Sequence, residues 1–513
     1  MAFIPGIEFR GRQLRVSPVI GPEGALRVAL WSILLAGAAY TTTDPDLWGH
    51  VRFGLDILRD GSISRVDVYS FTSDRVWVNH EWLAEIIMAG AFRLGGDVGL
   101  IVLKLATIAC TLLLVDSALR REAIDAPIVR DGAGAIALVL TMDQIRYVRP
   151  QLFSVVAFAA LLWCLTAARQ GKQRWLLLIP PLFIAWANLH GGWLVGGGVL
   201  AVWTLGVAIA GDWRLALWCA AAGAASLAGT LLTPYGTELW AFLRETVGFS
   251  RPDITEWHPI YEFGWSGWIR WGVSVGLAAA AIVLGGRATR QPERIGCLVA
   301  LAIAALMVIR LQAFLGLAVV FLAVPALGRA YQRARARAAA STRTGMRRLT
   351  RPVALFAAAT AMVVVAINVS HLRINRVIMP APGAVAFLNA QPPGGGRVLV
   401  WFDWGEYAIW HLAPRMRVSI DGRRETTYSA SLQDRHLRFY FDAPGGSTLA
   451  TDLAADYIWI PTSAPAARRL DAAGWQRLYH DSDSVIFGRA STRQSNAPLV
   501  LAATADTGIF PGP

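Results

Sequence analysis

The densest set of reactive side chains is Thr43-Asp44-Pro45-Asp46-Leu47-Trp48-Gly49-His50-Val51-Arg52, directly after the apolar run 24–41. Charged groups beside hydrocarbon are costly to desolvate, so this cluster needs either water and lipid headgroups or a polar reaction centre. Asp44 and Asp46 stand two apart around a proline, so both carboxylates can reach one site without helical spacing. One could take a proton from an attacking hydroxyl, and the pair could bind a divalent cation through oxygen ligands. The plainer alternative is that Asp44 caps a turn and Asp46 caps the helix that follows.

Other candidates recur at the ends of apolar runs. Arg146 and Arg149 bracket Tyr147, where guanidinium groups could grip a lipid phosphate or pyrophosphate, or snorkel to headgroups. Arg310 and Gln312, between two apolar runs, form a second candidate phosphate ligand. Asn188-Leu189-His190-Gly191-Gly192 breaks a hairpin with two glycines and offers His190 to a phosphate or sugar, or is simply a tight turn. Glu256 and His258 flank Trp257, a ring that could stack on a sugar or anchor at the interface. His80, Glu81 and Tyr235 complete the set. Phosphate-loop, HExxH and GxSxG signatures are absent.

The elements that must position these groups are membrane helices. The 513 residues are 55% hydrophobic and 16% charged, with apolar runs long enough for a bilayer of about 30 Å. The net charge of +13 lies in short arginine clusters between those runs, a topology signal rather than a nucleic-acid footprint. The four cysteines lie in apolar runs without metal-ligand spacing and read as packing residues.

Eleven spans are expected: 24–41, 97–119, 132–147, 152–168, 175–189, 192–210, 214–232, 268–286, 295–310, 312–328 and 352–370. The segment 82–95 is apolar but short and carries Glu85 and Arg93. Leaving it out of the spans collects five basic clusters on the cytoplasmic side: the N-terminal arginines Arg10, Arg12 and Arg15, then 120–130, 169–174, 287–294 and 329–351. All eight histidines and most of the motifs above then fall on the outer side, as in a membrane active site or vestibule. The expected organisation is a cytoplasmic segment 1–23, a membrane domain 24–370 with outer loops 42–96 and 233–267, and an outer domain 371–513. In the last, apolar strands at 397–402, 417–420, 457–460, 475–479 and 484–488 alternate with helical stretches at 383–390, 404–412, 431–441 and 464–473, a small α/β domain.

The string Asp44 to His50, the loop Trp77-Val78-Asn79-His80-Glu81-Trp82-Leu83 and the multispan core resemble the C-type (GT-C) polytopic membrane glycosyltransferases, relatives of protein O-mannosyltransferases and lipid A aminoarabinose transferases. The resemblance covers 24 to about 330. It is strongest to a bacterial group that pairs NxHGG and xPYG segments with an outer domain bearing strings like Asp403-Trp404-Gly405-Glu406-Tyr407 and Ile420-Asp421-Gly422-Arg423.

The resemblance implies a polyprenyl-phosphate sugar donor in the inner membrane and a lipid, glycan or protein acceptor on the outer face. Asp44 or Asp46 would be the base, with inversion at the anomeric carbon. Arg146, Arg149 and Arg310 would meet the phosphate, while His50, Arg52, His80, Glu81, Asn188, His190, Tyr235, Glu256, His258 and Gln312 would line the substrate site. A divalent cation on Asp44 and Asp46 is compatible with the resemblance but not required by it. Two positions depart from the pattern: Gly49 stands where an aromatic is common, and Thr233 replaces Asn before Pro-Tyr-Gly. The competing expectation is a transporter or a lipid- or glycan-binding scaffold, disfavoured because no internal repeat or midplane charge pairing is evident.

Overall fold

Each expected apolar run is largely helical, although 132–147 is broken at Thr141 and 175–189 opens with a 3-10 turn. The computed structural model describes residues 22–247, 254–286, 290–341, 351–370, 372–376, 379–380, 382–392, 396–489 and 508–512. Most of the segment 1–23 lies outside them, with Arg10, Arg12 and Arg15, as do Arg287, Arg343, Arg347, Arg348 and His371. The helices up to the first basic loop are α1 (Pro22–Ala39), α2 (Leu47–Asp60) and α3 (Trp82–Arg121). Then come α4 (Pro127–Leu140), α5 (Met142–Ile145), α6 (Gln151–Arg169), α7 (Ile179–Leu189), α8 (Trp193–Ile209), α9 (Trp213–Gly229), α10 (Thr237–Val247), α11 (Trp265–Leu284), α12 (Pro292–Met307), α13 (Gln312–Leu322), α14 (Val324–Ser341) and α15 (Arg351–Ser370).

Among the described residues, four helical stretches are long and apolar enough to cross a membrane: Trp82–Arg121, Gln151–Arg169, Trp265–Leu284 and Ile309–Ala338. Shorter apolar helices include Trp193–Ile209. Residues 1–37 and 342–371 cluster as one unit, which holds most of α1 and all of α15; residues 38–341 and 372–513 cluster as a second.

The doubtful segment 82–95 is the first arm of α3, joined to 97–121 across a break at Gly95 and Gly96, where Gly96 takes φ +59°. That arm packs on α2, an amphipathic helix whose Leu47, Trp48, Val51 and Phe53 are fully buried and whose end is set by Gly61 in the left-handed conformation. The two approach so closely that a Cβ at Gly54 would overlap the Glu85 carbonyl. Several arginines of the basic loops are ion-paired: Arg294 and Arg329 with Glu122, and Arg169 with Glu293 and Asp212.

Residues 372–513 build a mixed sheet. Strands β1 (Thr41–Thr42) and β2 (Ile374–Asn375) form a two-residue parallel ribbon that ties the start of the first loop to this region. The larger sheet holds β3 (Gly396–Val400), β4 (Met416–Val418), β5 (Tyr457–Pro461), β6 (Gln476–His480) and β7 (Ser484–Gly488) in the order β4-β3-β5-β7-β6, parallel through β5 and antiparallel after it. Val398, Leu399 and Val400 of β3 and Ile458, Trp459 and Ile460 of β5 are all buried, as central parallel strands covered on both faces require. The expected strand 397–402 stops at Val400 because Phe402–Trp404 turns into the helix α16 (Gly405–Leu412).

The first loop is docked on this sheet. Val418 N–H donates to the Tyr69 carbonyl at 3.0 Å and Phe71 N–H to the Val418 carbonyl at 3.1 Å, extending the β4 edge by one bridge. Arg423 reaches back into the loop, where its guanidinium stands over Phe53, Tyr69 and Trp77 and forms a double contact with Asp67 at 2.8 and 3.1 Å.

Candidate active site

The site begins with a buried lysine. Lys104, fully enclosed in α3, donates from Nζ to Thr41 Oγ1 at 2.6 Å, to the Tyr40 carbonyl at 3.1 Å and to the Arg146 carbonyl at 3.5 Å. It therefore fixes the two backbone segments that carry the aspartates and Arg149. Asp44 is buried, accepts the Asp46 N–H at 3.1 Å and pairs with Arg149. Asp46 sits at the N-cap of α2 without a side-chain cap bond, and its carboxylate borders a cavity of about 910 Å³. The two aspartates, expected to reach one site, thus serve different neighbours. Among the described residues no three His, Cys, Asp or Glu side chains are grouped to hold a metal ion.

The cavity lies between the first loop, the breaks flanking α6, α7 and α13, the second loop and the sheet region. Burial is the main force on Asp46 and raises its pKa to about 7; His50 opposes this, while Asp403, Glu256 and Glu81 add to it. Burial also disfavours the charged imidazole of His50, yet Glu85, Glu81 and Asp46 outweigh it and hold its pKa above the ordinary value. His50 Nδ1 lies 3.6 Å from Glu85 Oε1, whose partner oxygen accepts from Asn79 Nδ2 at 2.5 Å.

Two guanidinium groups face this acidic wall. Arg149 and Arg310 grip opposite oxygens of Glu256 at 3.3 and 3.1 Å, and Arg310 also stands over the Trp257 ring. Glu256 is partly desolvated, but Arg310 and Arg149 hold its carboxyl below the usual range. His190 joins them: Nδ1 accepts the Gly192 N–H at 3.0 Å and lies 2.7 Å from Ser154 Oγ, while Nε2 lies 3.4 Å from Arg310 and 3.7 Å from Glu81. Burial and the Arg310 charge keep its pKa well below normal, so the ring is neutral. A cavity with a hydrogen-accepting carboxylate on one wall and paired guanidinium groups on another can take a proton from a hydroxyl and hold an anionic oxygen together.

Of the expected residues, Asp46, His50, His80, Glu81, Arg149, His190, Glu256, His258 and Arg310 line this cavity. The others do not. Arg52 is spent on Asp56 at 2.8 Å, and Arg146 is exposed beside Tyr147. Asn188 accepts from Trp82 Nε1 and donates to the Ile184 and Leu232 carbonyls, closing the helix break rather than facing substrate. Tyr235 accepts the Asn79 N–H at 2.9 Å, and Gln312 donates to the Gly267 carbonyl at 3.2 Å. Sequence reasoning missed Glu85, Gln151 and four residues of the sheet region, Glu406, Arg423, Arg424 and Glu425. The two strings 403–407 and 420–423 held Glu406 and Arg423 but gave no role, and nothing marked Arg424 or Glu425.

No family model matches the sequence, and no curated protein matches it at the sequence level. Solved structures do match the fold. An oligosaccharyltransferase from Archaeoglobus fulgidus, tethered to an acceptor peptide with an NVT sequon, superposes with a TM-score of 0.59 at 12% identity over 93% of this chain and 75% of its own. ArnT from Cupriavidus metallidurans bound to undecaprenyl phosphate gives 0.52 at 12% identity, over 92% and 98% of the two chains. Its apo form gives 0.55 at 12% identity, over 90% and 96%. The chain has the GT-C fold that these proteins share.

Proposed function

We propose that this chain, with its GT-C fold, is a glycosyltransferase of the inner membrane that moves a hexosyl or pentosyl group from a polyprenyl-phosphate donor to a hydroxyl of a lipid, glycan or protein on the extracytoplasmic side, its N-terminus being cytoplasmic. The observation that carries this reading is the shared cavity, with the Asp46 carboxylate on one wall and Arg149 and Arg310 on another. The undecaprenyl phosphate bound by ArnT supports the donor class.

Asp46 accepts the acceptor proton as the hydroxyl oxygen bonds to the anomeric carbon. The bond from that carbon to the phosphate oxygen breaks, and its electron pair leaves with the phosphate, inverting the centre. Arg310 and Arg149 face the charge that develops there, the phosphate replacing part of their hold on Glu256. Asp44 acts through Arg149, so it is a positioning residue.

The test is transfer of radiolabelled sugar from polyprenyl-phosphate donor pools in membranes of a deletion strain carrying wild type, Asp46→Asn or Asp44→Asn at equal expression. Wild type is expected to restore transfer, and Asp46→Asn to lose it by about a hundredfold or more. Asp44→Asn is expected to lose less. Equal transfer by all three removes Asp46 from catalysis, and no wild-type-dependent transfer with any sugar favours a transport or scaffold role.

A further inference from the structure

The catalytic carboxylate proposed above has a partner that the membrane helices do not supply. Glu406, 3% exposed at the start of α16, lines the same cavity, and its Oε2 is buried without a hydrogen-bond partner among the described residues. Two glycines make room for it. A Cβ at Gly49 would overlap Glu406 Oε2, and a Cβ at Gly422 would overlap Asp46 Oδ1 and lie 2.8 Å from Glu406 Oε1. The two carboxyl groups therefore border the volume of one methyl group. The absence of a side chain at position 49 is what leaves room for Glu406.

Two desolvated carboxyls bordering one methyl-sized volume disfavour ionising together at neutral pH unless a cation stands between them. The groups facing the pair are His50 from α2, Glu81 and Glu85 from the start of α3, Glu256 from the second loop, and Asp403, Asp421 and Arg423 from the sheet region. Arg423, the nearby guanidinium, is held by Asp421 and Asp67 on both sides, and the His50 imidazole is turned to Glu85, with Nδ1 3.6 Å from its carboxylate. We propose that Glu406 and Asp46 hold one proton between them, with Glu406 the neutral donor to a substrate hydroxyl oxygen and Asp46 the anion that receives the acceptor proton. The sheet region then contributes a residue of the active site itself. After transfer both carboxyls are neutral, and the pair returns one proton to solvent as product leaves. Burial, reinforced by Asp46 and Asp421 and opposed by Arg423, holds Glu406 well above the usual carboxyl range, in agreement with this assignment.

The catalytic part of this inference rests on the glycosyltransferase reading, but the shared proton does not, so it is measured separately. Full-length wild type, Glu406→Gln and Asp46→Asn in lipid nanodiscs are titrated by infrared difference spectroscopy, following the protonated-carboxyl band. The wild type is expected to keep a band above pH 7 that Glu406→Gln lacks. Asp46→Asn is expected to move its loss down by about one pH unit or more, since the neighbouring charge is gone. A wild-type spectrum without that band, or an unmoved transition in Asp46→Asn, overturns the pair. Should Glu406→Gln fail to fold, the Asp46→Asn shift decides alone. In the transfer assay the wild type is expected to lose activity at alkaline pH as Glu406 ionises, and Glu406→Gln to lose that alkaline fall while keeping the acid limb. A Glu406→Gln profile that is merely lower, with both limbs, assigns Glu406 to structure and overturns its donor role. A shared proton without wild-type transfer retains the pair and rejects the reaction.

Discussion

Asp46 is half-buried, with no side-chain cap bond and no guanidinium paired to it among the described residues, whereas Asp44, two residues earlier, is enclosed with Arg149. The difference has a measurable sign. The carboxyl of Asp46 titrates near 7 in the folded chain and near 3.8 in an unfolded one, so folding favours its protonated form. The stability associated with that proton is fully present below the unfolded value and is lost as pH rises through about 7. Asp46→Asn removes the titration. It is therefore expected to raise the thermal midpoint of the detergent-solubilised protein relative to wild type, by more at pH 8 than at pH 5, while lowering transfer by about a hundredfold or more. A midpoint difference independent of pH would show that Asp46 is not desolvated in the folded state. Such opposition between stability and activity is the usual mark of a group placed for chemistry.

At the scale of elements, the first loop and the sheet region are joined through Arg423. Its guanidinium is enclosed by three aromatic rings and two carboxylates, and Asp67 and Asp421 are both fully buried beneath it. Arg423→Ala leaves both carboxylates without their cation, an arrangement that costs about 3–5 kcal/mol. Hydrogen exchange should then accelerate in 64–80 and 416–428 together and stay unchanged in α6; acceleration confined to one side would mean that the junction does not depend on this residue. The helices and most strands of this architecture were legible from apolar runs and Gly/Pro turns, because burial acts locally along the chain. The convergence of the cavity was legible only by sidedness. Asn188, Tyr235 and Gln312 are polar and sit at helix breaks like His190 and Arg310, but their bonds go to backbone groups exposed by those breaks. Nothing in their types separates the two fates. Glu406 was hidden for another reason: its partner lies 360 positions earlier, and what lets the two approach is the absence of a side chain at Gly49 and Gly422.

Across the whole molecule, a segment far along the chain braces the helix that carries the site. Residues 508–512 return to α2: Phe510 N–H donates to the Ile374 carbonyl at 2.9 Å, and the Trp48 indole N–H donates to the Pro511 carbonyl at 2.8 Å. Phe510 is 2% exposed, with its ring 5.2 Å from Trp48, 5.7 Å from Phe92 and 6.0 Å from Trp410, so it packs against α2, the first arm of α3 and α16 at once. These are the elements that carry Asp46, Glu85 and Glu406. Truncating that ring should therefore affect stability and catalysis through one cavity. Phe510→Ala is expected to cost about 3–5 kcal/mol, read as a lower thermal midpoint, and Phe510→Leu to recover most of it. If the tail also holds Trp48 in place, Phe510→Ala should lower the transfer rate at saturating donor more than it raises the donor concentration needed for half-maximal rate, because Trp48 lies two residues from Asp46 while the phosphate-facing arginines stand on other elements. A loss confined to donor affinity would place the effect of the tail on Arg149 and Arg310 instead, and would separate the integrity of α2 from the chemistry assigned to it.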